Sequence, residues 1–246
     1  MSNLLEVSGL NKRYAAFALK DVSFSIPRGY IMGFVGPNGA GKTTAIKAVL
    51  NIIRLDAGSI KLFGEETGAD AHTQNERIGV VMDAPFYVDD WTARDVERAL
   101  SPFYPNWNGA AYYDCLRRFG IDAGKKIKEL SRGMKVKAQI AAALCHSAEL
   151  LILDEPTSGL DPVARDEICD VLREFVADES GGVLFSTHVT TDLEKIADYI
   201  TFILDGRVVF TGAKDDLLEK YVRVTGAPEE INPEQRKRII GYRKHG

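Results

Sequence analysis

The chain has 246 residues, of which 45% are hydrophobic and 27% charged, and its formal net charge is −4. This length allows one well-formed core with an appended lobe, and the small negative charge argues against a broad nucleic-acid-binding surface. No stretch approaches the roughly twenty continuous apolar residues that cross a bilayer, and residues 1–6 do not resemble a signal peptide. We therefore expect a cytosolic protein that touches a membrane only through a partner.

Two kinds of strand are predicted in the first quarter of the chain. Residues 3–28 and 57–64 alternate apolar and polar side chains, which suits an antiparallel sheet. Residues 30–35 form a short apolar run that predicts a buried strand, and residues 44–50 have helical spacing. This pattern indicates an α/β fold.

The turn between the buried strand and the helix reads GPNGAGKT and fits the phosphate-loop pattern GxxxxGK[ST]. Its glycines let backbone N–H groups turn inward around the phosphates of a nucleotide, while Lys42 reaches the outer phosphates and the hydroxyl of Thr43 would hold Mg²⁺. The helix N-terminus favours the same anions. The alternative is a glycine-rich turn that ends in Lys-Thr by coincidence. The predicted nucleotide-binding residues of this segment are Gly36, Pro37, Asn38, Gly39, Ala40, Gly41, Lys42, Thr43 and Thr44.

A helical insertion is predicted over about residues 86–148. Residues 92–100 and 110–119 have amphipathic helical spacing, and a Pro-Asn-Trp-Asn break separates them. A later helix runs through residues 136–144. Ser131 is a plausible N-cap for it, so its hydroxyl and the N–H of Gly133 are suitably placed to bind an anion.

Two adjacent carboxylates end the next apolar run, residues 149–153. Parallel α/β sheets bind ligands at this edge. Because neighbouring residues at a strand end point in different directions, Asp154 would coordinate Mg²⁺ while Glu155 would polarise the water that attacks the γ-phosphate. The alternative is a solvated acidic turn opened by Pro156.

The segment Leu-Ser-Arg-Gly-Met at residues 130–134 is similar to the signature LSGGQ of the ATP-binding cassette (ABC) transporter family, and the resemblance covers about residues 3–221. It implies a P-loop NTPase fold with a RecA-like parallel sheet core, an antiparallel β subdomain and a helical signature subdomain. The implied domains are a nucleotide-binding domain over 1–221 and a short C-terminal helical tail over 222–246.

The same resemblance implies ATP and Mg²⁺ as cofactors and transport-coupled ATP hydrolysis at the inner face of the cell membrane. The implied partners are a membrane-spanning transporter subunit and a second ATPase subunit, either another copy or a paralogue. Each active site would be shared, because the signature holds the γ-phosphate bound by the opposite subunit. The overall pattern resembles bacterial exporter ATPases that serve peptide-antibiotic export or immunity.

Three further residues take roles from the family pattern. Tyr14 would stack on adenine, although it could instead pack at a strand edge. Asp161 belongs to a segment resembling the D-loop, which crosses the dimer interface. His188 follows the apolar strand 182–187 and resembles the switch histidine that contacts the γ-phosphate. Together with Glu155 and Lys42, His188 completes the expected catalytic set.

The chain departs from the family pattern at two places. Arg132 and Met134 replace the first glycine and the glutamine of the signature, while Ser131 and Gly133, which make the phosphate contacts in the family, are kept. Asp83 stands where the Q-loop normally carries glutamine. We expect Asp83 to reach the metal through a bound water, and the alternative is a solvent-facing loop residue.

Other interpretations are weaker. Soluble ABC ATPases of translation or DNA repair join two cassettes in one chain or carry long insertions, and neither occurs here. A purely regulatory docking module would not need the charged set named above. Cys115, Cys145 and Cys169 are odd in number and lack metal spacing, which indicates reduced thiols. Aromatic residues of 85–91 and 103–107 would line a groove for the membrane subunit or pack inside the lobe.

Overall fold

The structure is a computed structural model that describes residues 2–67, 72–83 and 87–220. The predicted tail over 222–246 and the first residues of the aromatic stretch, Pro85 and Phe86, lie outside the described residues. The chain divides into two units, residues 1–214 and 215–246. None of the described helices combines the length and the apolar character that a membrane span requires.

The predicted antiparallel sheet is present. It consists of β1 (Asn3–Arg13), β2 (Ala18–Pro27), β4 (Ala57–Leu62) and β5 (Glu65–Glu66) in the order β2-β1-β4-β5. Alternate residues of β2 are buried, as expected for a sheet with one face against the core.

The second sheet consists of β3 (Ile31–Val35), β6 (Ile78–Val81), β7 (Leu150–Asp154), β8 (Gly182–Thr187), β9 (Tyr199–Leu204) and β10 (Arg207–Ala213). These strands lie in the order β10-β9-β3-β8-β7-β6. All neighbours are parallel except β9 and β10. Every residue of β3, β7 and β8 is buried, which is typical of a parallel sheet covered on both faces. The carboxyl ends of these three adjacent strands therefore meet at one edge.

The helices are α1 (Lys42–Val49), α2 (His72–Asn75), α3 (Ala93–Leu100), α4 (Gly109–Arg118), α5 (Arg132–Leu144), α6 (Pro162–Val176), α7 (Thr190–Ile196) and α8 (Lys214–Lys220). Short 3₁₀ turns are formed by Ser101–Phe103 and Ile127–Glu129. Helices α3 to α5 fall within the predicted insertion. Side-chain caps begin each of them, at Thr92, Asn108 and Ser131, because a side-chain oxygen satisfies a backbone N–H that the first turn leaves free.

The aromatic stretch over 103–107 is partly packed inside the helical region and partly exposed, and its predicted contact with a membrane subunit stays a prediction. Tyr104 stacks on the buried His146 with ring centroids 4.1 Å apart, and Trp107 packs against Tyr112. Burial lowers the pKa of His146, which keeps its imidazole neutral near physiological pH. Phe103, by contrast, is 74% exposed. Tyr104 and Trp107 therefore pack inside the helical region, whereas Phe103 of the same segment lies at the surface.

Glu149, just before β7, links this strand to the residues next to β2 and β6. Its carboxylate accepts from Arg28 Nη2 (2.9 Å), just after β2, and from Arg77 Nε (2.6 Å), just before β6. The hydrogen bond from Arg77 and that from Arg28 lower the pKa of Glu149. The ionised carboxylate therefore stabilises the folded chain at pH values above the unfolded glutamate pKa of about 4.3.

We expect Glu149→Gln to reduce the free energy of unfolding by up to about 1 kcal/mol near neutral pH, since the pair is partly exposed. The difference from the parent should vanish as the pH falls through the lowered pKa, because the parent then loses the same charge. Denaturant unfolding of both proteins across this pH range measures it. A difference that does not change with pH would contradict an electrostatic origin.

Candidate nucleotide site

The phosphate loop joins β3 to α1 and requires glycine at two positions. A Cβ atom on Gly36 would lie 2.4 Å from the carbonyl oxygen of Ile203, which leaves no room for a side chain. Gly41 has φ of 110°, and a Cβ there would lie 2.7 Å from the ring of Phe17. The backbone therefore lies against Ile203 at Gly36 and has a left-handed conformation at Gly41, and both positions suit glycine. Pro37, Asn38 and Gly39 between them are exposed.

Lys42 is only 5% exposed and bends back over the loop. Its Nζ donates to the carbonyl oxygens of Gly36 (2.7 Å) and Pro37 (3.3 Å). The same atom lies 3.1 Å from Glu155 Oε1 in an ion pair that lacks hydrogen-bond geometry. The ammonium is thus fixed at the mouth of the loop. An incoming phosphate would compete with Glu155 for this charge.

Asp154, at the end of β7, is 2% exposed, and both of its carboxylate oxygens are hydrogen-bonded. Oδ2 accepts from the Thr43 hydroxyl at 2.6 Å, and Oδ1 accepts from Ser186 Oγ at 2.9 Å. Ser186 lies opposite Asp154 in the β7/β8 register. Sequence reasoning missed Ser186 as part of the site. The available signal was a pair of hydroxyl residues, Ser186 and Thr187, at the end of an apolar strand.

The side chains of Asp154 and Glu155 have different partners, as expected for neighbours at a strand end. The φ of Glu155 is 52°, a left-handed conformation, and its N–H donates to the Ser186 carbonyl at 2.9 Å. Besides the contact with Lys42, its Oε2 lies 2.7 Å from His188 Nδ1. The phosphate-loop lysine, the acidic residue after β7 and the histidine after β8 therefore form one continuous chain of contacts.

The signature segment lies at the start of α5. Ser131 Oγ accepts from the N–H of Met134 at 3.3 Å, which confirms the predicted N-cap. A Cβ on Gly133 would sit 3.5 Å from the side chain of Ala164, so this turn packs against the start of α6. Within the described residues, no hydrogen bond or ion pair joins Ser131 to the phosphate loop of its own chain.

Backbone and side-chain hydrogen bonds fix the positions of two further predicted site residues, Tyr14 and Asp161. The N–H of Tyr14 donates to the carbonyl of Phe17 (2.7 Å), and the ring of Phe17 packs beside Gly41 of the phosphate loop. Tyr14, whose ring is half-exposed, therefore lies on a segment next to the phosphate loop. Asp161 caps α6 by accepting from the N–H of Ala164 at 3.0 Å, and this hydrogen bond lowers its pKa. The proposed contacts of these residues with adenine and with a second chain stay predictions.

Asp83 forms an ion pair with Arg132, with Asp83 Oδ1 2.7 Å from Arg132 Nη2. These are two of the three positions at which the chain departs from the family pattern. The expected role of Asp83 at the metal stays a prediction, and in the structure its carboxylate is directed to the signature turn.

The donor set suits a magnesium ion that is shared with a nucleotide. Among residues 2–67, 72–83 and 87–220, no cluster of three or more His, Cys, Asp or Glu side chains could hold a metal by itself. Thr43 and the buried Asp154 present two oxygen ligands side by side. Mg²⁺ is usually bound by one or two carboxylates together with phosphates and water.

The chain is similar to known proteins over most of its length. The model of the family described as "ABC transporter" matches residues 19–158. The chain is 34% identical to the Nod factor export ATP-binding protein I of Burkholderia orbicola, over 89% of this chain and 73% of that protein. It is 32% identical to the bacitracin transport ATP-binding protein BcrA of Enterococcus faecalis, over 85% of this chain and 69% of that one. A solved ATP-binding subunit of an ABC transporter superposes with a TM-score of 0.79 at 29% identity, covering 88% of this chain and 92% of that one.

The strand order, the phosphate loop and these relatives lead to one conclusion: the chain belongs to the ABC transporter family, as an ATP-binding subunit with ATPase activity.

Proposed function

We propose that this chain hydrolyses Mg²⁺-ATP to drive export through a separate membrane-spanning subunit, and that it works as a head-to-tail pair with a second copy or a paralogue. The observation that carries the catalytic part is the convergence of Lys42, Thr43, Asp154, Glu155 and His188 at one edge of the parallel sheet. This edge is where α/β proteins bind nucleotides.

Thr43 and Asp154 would hold the magnesium ion. The ion would neutralise charge on the β- and γ-phosphates. Ser186 contributes by holding Asp154 in its rotamer, and Lys42 contributes a buried positive charge that the phosphates would share.

Glu155 would orient and polarise the attacking water, and His188 would contact the γ-phosphate. The hydrogen bond between Glu155 and His188 fixes both side chains before any reaction. Fixed groups of this kind accelerate a reaction because they need little rearrangement when charge develops.

The pairing of two chains follows from the position of the signature turn. Ser131 and Gly133 are exposed or half-exposed at a helix N-terminus, and they make no polar contact with the phosphate loop of the same chain in the described residues. A second chain in the opposite orientation would bring its nucleotide to this turn. Tyr14 would stack on adenine, and Asp161 would lie beside the interface.

The export assignment rests on the relatives. One is named for bacitracin transport and another for Nod factor export, whereas a soluble nucleic-acid-associated ATPase is not favoured. We place the chain at the inner face of the cell membrane. Exposed apolar side chains of the helical region, Val88, Trp91 and Phe103, offer a surface for the membrane subunit.

Purification of the tagged chain from native membranes tests this assignment. A membrane-spanning subunit that elutes in stoichiometric amount is the expected result. Elution with ribosomes or nucleic acid, and without such a subunit, would contradict it.

His188→Ala should retain ATP binding while ATP hydrolysis falls by about a hundredfold, because the proposed contact of His188 is with the γ-phosphate during turnover. Equilibrium binding of ATP and steady-state release of phosphate measure the two effects separately. Equal hydrolysis rates for this variant and the parent would remove His188 from the site.

A further inference from the structure

The ion pair between Asp83 and Arg132 joins two segments that the fold brings together. Asp83 follows β6 by two residues, and the intervening Met82 is buried, which anchors this end of the sheet. Arg132 is the first residue of α5, directly after Ser131. Their side chains are 58% and 54% exposed, so the pair lies at the surface beside the signature turn.

Arg132 also lies against the segment that follows the catalytic glutamate. A Cβ atom on Gly159 would be 3.4 Å from Arg132 Nη1, and Gly159 has φ of 70°. The guanidinium group of Arg132 therefore lies between two other segments, the end of β6 and residues 158–161. The backbone of Arg132 belongs to the signature turn.

Each charge of this pair would be unfavourable alone. A cation in the first turn of a helix opposes the positive end of the helix dipole, so Arg132 weakens the N-terminus that begins at Ser131. An unpaired carboxylate near a phosphate site would repel a nucleotide. Pairing offsets the charge of Arg132 at the helix N-terminus and the charge of Asp83 at the end of β6.

We propose that Asp83 and Arg132 act as one matched pair of positioning residues that holds the Ser131 turn in register with the end of β6 and with segment 158–161. The inference rests on the proposed function, because it assumes that the geometry of the Ser131 turn limits ATP turnover. Neither residue needs to touch the nucleotide.

A double-mutant cycle on the full chain tests the pairing. Asp83→Asn and Arg132→Gln are each expected to lower kcat by about three- to fivefold with little change in the KM for ATP, since exposed ion pairs contribute modest energies. The double variant should be no slower than either single variant. The charge-swapped variant, Asp83→Arg with Arg132→Asp, should recover part of the loss, and Asp83→Glu should stay near the parent rate.

Salt and a surface control separate positioning from a general loss of structure. Raising the salt concentration should slow the parent toward the rate of the single variants, because an exposed pair is screened, and should change the variants less. Arg173 and Asp170 form a comparably exposed ion pair on α6 (2.6 Å). Asp170→Asn should therefore leave both kcat and its salt dependence unchanged.

Two results would overturn the proposal. One is a double variant whose fold-loss in kcat equals the product of the fold-losses of the two single variants. The other is a combination of two observations: Arg132→Gln keeps the parent kcat, and the ATP affinity of Asp83→Asn depends less steeply on Mg²⁺ concentration than that of the parent. That combination would show that Asp83 acts at the metal and not through Arg132. Ser131→Ala separates this inference from the proposed function. If Ser131→Ala hydrolysed ATP at the parent rate, the signature turn would have no role in turnover and the proposed function would be contradicted. The double-mutant cycle, by contrast, tests only whether Asp83 and Arg132 act as a pair.

Discussion

Lys42→Ala is expected to abolish detectable ATP binding at concentrations that saturate the parent, and to reduce hydrolysis by more than about a hundredfold. The substitution removes a buried ammonium that the phosphates would share, and it also removes the only ion-pairing cation of Glu155 Oε1 in the described residues. A buried carboxylate oxygen without its cation adds further repulsion toward an anionic ligand. Titration with a fluorescent ATP analogue and a phosphate-release assay measure binding and turnover.

Lys47→Ala is the matched control for this substitution. Lys47 lies on the same helix, α1, but it is exposed and takes no part in the proposed site. The control should bind and hydrolyse ATP like the parent. If Lys42→Ala bound ATP as tightly as Lys47→Ala does, the loop would not be the phosphate site.

Glu155→Gln should bind Mg²⁺-ATP, hydrolyse it at least about a hundredfold more slowly than the parent, and accumulate as a dimer. Glutamine has nearly the same shape as glutamate but cannot accept a proton from the attacking water. Slow cleavage then leaves ATP bound, and bound ATP would link Lys42 of one chain to Ser131 of the other, which stabilises the pair by mass action.

Sedimentation velocity with saturating Mg²⁺-ATP measures the association, and single-turnover hydrolysis measures the chemical step. Glu66→Gln, at an exposed glutamate of β5, serves as the control and should match the parent in both. A Glu155→Gln protein that stays monomeric under these conditions would rule out a homodimer and leave a paralogous subunit as the partner.

The strands that position the site were predictable because their signals are strong. The run over residues 182–187 coincides with β8, and the run over 30–35 differs from β3 by one residue. Continuous apolar stretches bounded by polar turns leave little ambiguity in a buried sheet. Strands β9 and β10 are absent from the predicted elements. The turn between them, Asp205-Gly206, carries the left-handed pair typical of a tight hairpin and was the available signal.

The contacts within the site were harder to predict than its members. Motifs placed Lys42, Asp154 and His188 near one sheet edge. They could not show that Lys42 contacts Glu155, because that contact depends on which strands are neighbours and on how each side chain turns at the strand end. Family patterns describe one position at a time, so they also could not show that the substitutions at Asp83 and Arg132 face each other.

The left-handed backbone at Glu155 makes position 155 a compromise between folding and chemistry. A residue with a side chain loses roughly 1 kcal/mol or more in this conformation, which glycine adopts without strain. Glycine would leave the proposed water-activating position without a carboxylate, however, and a β-branched residue would be strained further by this dihedral angle. The chain therefore gives up some of its own stability at the residue that we propose activates water. The hydrogen bonds from the Glu155 N–H to the Ser186 carbonyl and from the Ser158 N–H to the Glu155 carbonyl keep that conformation in place.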